Sequence, residues 1–181
     1  MGHVMTYVAL LRGINLGRTR KVPMADLRRW LGELGYGDVR THLQSGNAVF
    51  TSDQRPDELV RQIEKRLADE LDFDVECVIF THDELRRVVD GNPFATVATN
   101  PAWYMVAFLS EAPTRARLAD LAPDAYHPEL FHVGERVIYL WYPGSIHKSK
   151  LNKEITHRNL GVVATARNWN TVLKLLELSA D

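Results

Sequence analysis

The segment Val39-Arg-Thr-His-Leu-Gln-Ser-Gly-Asn-Ala-Val-Phe-Thr51 reads as two short strands, Val39 to Gln44 and Ala48 to Thr51, turned at Ser45-Gly46-Asn47. On either side of this hairpin the pattern is helical. Upstream, Thr6 to Leu11 is apolar throughout, as a strand at the centre of a sheet is. Arg12 to Val22 contains Gly13 and Gly17 and has no hydrophobic period, so it is a loop. Pro23 suits a first helical position, Met24, Leu27, Leu31 and Leu34 then recur at helical spacing, and Gly35 ends the helix. Downstream, Pro56, Asp57 and Glu58 open a helix with Leu59, Ile63, Leu67 and Leu71 four residues apart, and Val75, Cys77 and Ile79 alternate as a strand. The order is β-α-β-β-α-β, the split βαβ arrangement.

The order then recurs. Thr81 and Glu84 form a capping-box pattern for a short helix to about Asp90, broken by Gly91-Asn92-Pro93. Trp103 to Leu109 reads as a strand, Thr114 to Leu121 as a helix, and His127 to Val133 with Arg136 to Tyr142 as a hairpin turned at Gly134-Glu135. A helix over Ser149 to Arg158, a strand over Val162 to Ala166 and a last helix from about Asn170 to Leu178 complete the chain. The expected fold is α+β: two ferredoxin-like (βαββαβ) subdomains packed together, with a C-terminal helix. Residues 1–81 form the first subdomain, 82–101 a linker helix and loop, and 102–181 the second subdomain with its C-terminal helix. The loops differ in length between the halves, so this is a structural repeat without a fixed period.

The chain has 181 residues, 45% of them apolar and 25% charged, with a formal net charge of −1. Those proportions belong to an ordinary globular protein and exclude a disordered tail, a collagen-like chain or a disulfide scaffold. No apolar run approaches the ~18–20 residues of a membrane span, and no signal-peptide pattern precedes Arg12. A single cysteine, Cys77, fits a reducing compartment, so a cytoplasmic location is expected. Charge is unevenly spread. Residues 1–29 carry six basic side chains against Asp26; residues 53–90 carry twelve acids against six bases; residues 143–170 carry five bases against Glu154.

In a ferredoxin-like sheet the first and third strands are adjacent and antiparallel, which sets Arg12-Gly13-Ile14-Asn15 beside Ser45-Gly46-Asn47, under the basic loop containing Arg18, Arg20 and Lys21. Arg12 offers a planar fork of donors, Lys21 a point charge, and Asn15, Ser45 and Asn47 orienting groups for a phosphate or carboxylate. The plainer reading of Ser45 to Asn47 is an ordinary hairpin turn, and for those residues alone it is the favoured one. An arginine directly after a buried strand needs a partner or an opening to water. A second set, Ser149, Lys150, Arg167 and Asn168, gathers two helix starts with a lysine and an arginine, suited equally to an anion or to plain N-capping.

Other chemistry finds no purchase. The seven histidines show no metal spacing, and no metal or cofactor is expected. Cys77 lies on an alternating apolar face and reads as core. Ser45 is outside a G-x-S-x-G elbow, adjacent Ser149 and Lys150 point about 100° apart on a helix, and no Walker or Rossmann fingerprint occurs. Neither cluster holds an acid or histidine to act as a general base, so no reaction is identified.

The motifs Arg12-Gly-Ile-Asn-Leu-Gly17, Lys21-Val-Pro-Met-Ala-Asp-Leu27, Gln44-Ser-Gly-Asn47, Asn92-Pro-Phe-Ala95, Tyr139-Leu-Trp-Tyr-Pro-Gly144, Ser149-Lys-Leu151 and Thr165-Ala-Arg-Asn-Trp-Asn-Thr171 closely resemble those of the bacterial family called domain of unknown function 1697. The resemblance runs from about Met5 to Leu178 and implies an α+β fold of two similar subdomains; it implies no reaction. It departs at Arg18, where the family loop carries a second glycine, making this loop stiffer and more positive. The expected function is binding of a small anionic ligand, a nucleotide or phosphorylated metabolite. The alternatives are an RNA-binding module, against which no RNP-like run of aromatics appears, or a structural or interaction protein without a ligand. A hydrolase or transferase lacks its base.

Overall fold

A computed structural model describes residues 2–144, 146–155 and 157–180. It divides into two compact units, residues 1–86 with 175–181, and residues 87–174.

The first unit holds strands β1 (Met5–Leu11), β2 (Gly37–His42), β3 (Asn47–Ser52) and β4 (Cys77–Thr81) with helices α1 (Met24–Glu33) and α2 (Pro56–Glu70). Its sheet order is β2-β3-β1-β4, all antiparallel, with Leu10 opposite Asn47 and Leu11 opposite Cys77. The ferredoxin-like adjacency of first and third strands is therefore present. Tyr7, Ala9 and Leu11 of β1 join Ala48, Phe50, Cys77 and Ile79 in one core layer with Leu27 and Leu31 of α1 and Leu59, Ile63 and Leu67 of α2. Two periodicities meet there, two along the strands and about 3.6 along the helices. Tyr36 stacks on Phe50 with ring centroids 4.6 Å apart, and burial pushes its hydroxyl pKa up to about 12. Thr81 and Glu84 exchange the two expected capping bonds, at 2.8 and 3.1 Å, at the start of α3 (His82–Asp90).

The second unit repeats the plan with β5 (Tyr104–Leu109), β6 (Leu130–Val133), β7 (Val137–Trp141) and β8 (Ala164–Asn168) in the order β6-β7-β5-β8. Short helices α4 (Arg115–Ala119), α5 (Lys150–Glu154) and α6 (His157–Leu160) accompany them, and α7 (Trp169–Leu178) ends the chain. The α+β architecture of two similar four-stranded subdomains is as expected. Several elements differ in extent: β2, read as Val39 to Gln44, and β8, read as Val162 to Ala166, are each displaced by two residues, and the helix read as Thr114 to Leu121 is shorter. The strand expected from His127 begins only at Leu130, since Pro128 has no N–H for a ladder. The strand read from Val75 begins at Cys77, with Val75 buried in the core ahead of it. The helix expected over Ser149 to Arg158 is divided into α5 and α6, because Ile155 leaves helical geometry (φ −83°, ψ 71°) and the Asn159 amide caps the carbonyls of Lys153 and Glu154.

One carboxyl inside the first unit has a titration that can be checked. Glu64 on α2 accepts the Cys77 N–H at 3.0 Å. Its pKa is raised chiefly by burial, with Glu76 adding to the rise and the Cys77 bond opposing it. A carboxyl whose folded pKa lies above its unfolded value contributes stability below the unfolded value, and that contribution is lost as pH rises through the folded one. Glu64→Gln keeps the acceptor and removes the penalised charge. Its melting temperature relative to wild type is expected to climb as pH rises from the ordinary glutamate pKa through the raised folded one; a constant difference contradicts the assignment.

Candidate functional site

The loop between β1 and α1 is closed by its own polar groups. Asn15, at φ +52°, donates from Nδ2 to the carbonyls of Val22 (3.0 Å) and Gln44 (2.6 Å) and accepts the Val22 N–H on Oδ1 at 2.9 Å. Arg20 donates to the carbonyls of Gly13 and Asp74 and lies over the Phe73 ring, 4.7 Å from its centroid. The Gln44-Ser-Gly-Asn47 turn locks against this loop. Leu11 N–H donates to the Gly46 carbonyl at 2.9 Å, and a Cβ on Gly46 would stand 2.6 Å from Ile14 Cδ1. Asn47 is fully buried and holds the turn by donating to the His42 carbonyl (2.7 Å) and Ser45 Oγ (3.1 Å).

A hollow of about 810 Å³ opens on this loop, lined by Asn15, Lys21, Val22, Pro23, Met24, Ala25, Arg28 and Gln44. It sits at the start of α1. Pro23 occupies the N-cap position and has no side chain able to accept a hydrogen bond, so no side chain caps the first turn. The unfilled N–H groups and the positive end of the helix dipole are available there. Lys21 and Arg28 are the two charged residues among those lining it, and both are exposed. The single acid of the first turn, Asp26, is already paired with Arg29 at 3.0 Å.

The candidate residues of the first set fare differently. Asn15 and Lys21 line the hollow. Ser45 and Asn47 shape the neighbouring turn and do not line it. Arg12 does not line it either: its backbone bonds across to Glu76 on the β4 side, and its guanidinium pairs with the Glu76 carboxylate at 3.2 Å. Arg28 and the open end of α1 escape a reading of the sequence alone. Their signal is present in Val22-Pro23-Met24, a helix start with no Ser, Thr, Asp or Asn before it, and in Arg28 four residues after Met24 on the same helix face.

In the second unit the four candidates do not converge. Ser149 is the N-cap of α5, accepting the Asn152 N–H at 2.9 Å, and its hydroxyl donates to the Glu129 carboxylate. The Ser149 hydroxyl is therefore already engaged with a negative charge. Lys150 is exposed beside it. Asn168 accepts the Thr171 N–H at 3.0 Å and so caps α7. Arg167, one residue earlier on β8, points to the opposite face of the sheet, as strand alternation requires. It is 7% exposed and donates to Thr165 Oγ1 (2.8 Å) and the Ala166 carbonyl (2.9 Å). Burial lowers its pKa to about 10, which still leaves it charged at neutral pH. Motif residue Asn92 accepts the Tyr104 hydroxyl at 2.6 Å, and Tyr104 stacks on Trp169 at 4.8 Å between centroids. Among the described residues no group of three or more His, Cys, Asp or Glu is placed to hold a metal ion, and no helix is long and apolar enough to cross a membrane.

No curated protein matches the chain. Among solved structures, the conserved bacterial protein SP0830 from Streptococcus pneumoniae is similar in fold, with a TM-score of 0.77 and 24% identity over 97% of this chain and 99% of that one. Residues 4–139 match the family model described as protein of unknown function (DUF1697). That span includes the interlocked loop and turn and the start of α1; the chain belongs to this family.

Proposed function

We propose that this protein binds a small anionic ligand, a nucleotide or phosphorylated metabolite, in the hollow at the start of α1. The observation that carries the reading is an uncapped helix N-terminus opening onto a space whose charged liners, Lys21 and Arg28, are both basic. Helix N–H groups supply directed donors, the two cations supply field, and the volume lies in the range of ligand sites, ~300–1,000 Å³. A charge-assisted hydrogen bond contributes about 1.5–3 kcal/mol, so three at the upper end of that range reach micromolar affinity. The single cysteine, buried at Cys77, accords with a cytoplasmic setting. RNA draws less support, because Tyr7, Phe50, Phe80, Tyr104, Phe108, Tyr139 and Trp141 on the strands are buried, leaving Phe131 as the one strand aromatic among the described residues that is partly exposed.

Thermal melts with inorganic phosphate, pyrophosphate and ribose 5-phosphate test this. A ligand at 100 times its Kd stabilises by about 2.7 kcal/mol, a rise of roughly 5–10 °C for a chain of this size. The rise is expected in wild type and absent in the Lys21→Ala/Arg28→Ala double variant. Equal responses from the two proteins overturn the reading.

A further inference from the structure

The second unit holds a hollow of different character. It measures about 740 Å³ and is lined chiefly by Trp103, Met105, Tyr142, Ile146, His147 and Asn168, with no Asp, Glu, Lys or Arg among the described residues that line it. Met105, Tyr142 and Ile146 also border a smaller recess of about 100 Å³ that reaches Ala107 and Ile155 behind them. Two features distinguish it from packing that merely falls short. Trp103 is 48% exposed, whereas the other three tryptophans are buried or half-buried. An indole face left in water at a cavity rim is a stacking platform. Asn168 spends its Oδ1 on the Thr171 N–H. Its Nδ2, on the other branch of the planar amide, has no hydrogen-bond partner among the described residues.

We propose that this hollow binds a small uncharged planar heteroaromatic group, of the chemical class of a nucleobase. The ring stacks on Trp103 against Met105 and Ile146, and a ring nitrogen or carbonyl accepts from Asn168 Nδ2. An aliphatic guest of equal volume would bury that amide without an acceptor, which is unfavourable. An anion would find no Lys or Arg among the described lining residues. The site is separate in residues and in chemistry from the hollow at α1, and neither proposal depends on the other.

Calorimetric titration of the full chain with adenosine tests it, with cyclohexanol as the aliphatic probe and inorganic phosphate as the anionic one. Saturable one-to-one binding of adenosine is expected, with neither control competing. Trp103→Ala, which truncates a half-exposed side chain, is expected to weaken adenosine at least 10-fold. Asn168→Asp retains the oxygen that caps α7 and removes the donor, so about 5-fold weakening is expected with the melting temperature preserved. Lys21→Ala/Arg28→Ala is expected to leave adenosine binding unchanged. The proposal is overturned by absent binding, by an unaltered affinity in Trp103→Ala, or by cyclohexanol competing as well as adenosine binds.

Discussion

Gly46→Ala is expected to lower the melting temperature by about 10 °C. Two costs combine at this position. The backbone sits at φ +88°, where an L side chain is strained by ~1–2 kcal/mol. The added Cβ would also meet Ile14 Cδ1 at 2.6 Å and Leu11 Cβ at 2.9 Å, both in buried residues, and overpacking of a filled core is worth roughly 1–3 kcal/mol. Each kcal/mol shifts the midpoint by about 2–4 °C at this size. Gly17→Ala supplies the internal control, since Gly17 has φ +58° and a methyl group there would meet nothing within 4 Å. It carries the backbone strain without the clash and is expected to lose only about 3–5 °C. Equal losses in the two variants would remove the close approach of turn and loop as the cause.

Asn15→Gly is expected to destabilise the protein by about 2–4 kcal/mol and to abolish the response to phosphate. Glycine accepts φ +52° freely, so the substitution isolates the hydrogen bonds. Three are lost, each worth about 1 kcal/mol, and the Val22 N–H is left without its acceptor in a residue that is fully buried. The same bonds tie Val22 to Gln44, and both line the hollow. Urea unfolding measures the first effect and a thermal melt with phosphate the second. A variant that unfolds normally and still responds to phosphate would separate the clamp from the site.

The topology was legible because long-range order followed from local pattern. The hairpin at residues 39–51, an apolar first strand and two helices with four-residue spacing left one common arrangement, and the two sheets have it. One shifted boundary lies where side-chain bonding replaced local preference. Asn159 takes the carbonyls at the end of α5, a contact no periodicity reveals. The candidate hollow was legible by neighbourhood and in two of its lining residues, Asn15 and Lys21. Adjacency of β1 and β3 placed loop beside turn correctly, yet Asn15 and Asn47 spend their amides on backbone carbonyls. Arg12 finds Glu76, sixty-four residues away, on the other flank of β1. Side-chain partners of that kind depend on which neighbour strand a residue faces, and one-dimensional charge counting does not carry that information. The same limit separated Arg167 from Asn168, adjacent in sequence and opposite across the sheet.

The most direct test is a nuclear magnetic resonance titration of the full chain with inorganic phosphate, following backbone amides. Binding at the start of α1 predicts saturating shifts of the Met24, Ala25 and Asp26 N–H signals that share one dissociation constant and vanish in Lys21→Ala/Arg28→Ala. Shifts centred instead on Ser149 and Lys150, or no saturating shift in the first turn of α1, would contradict it.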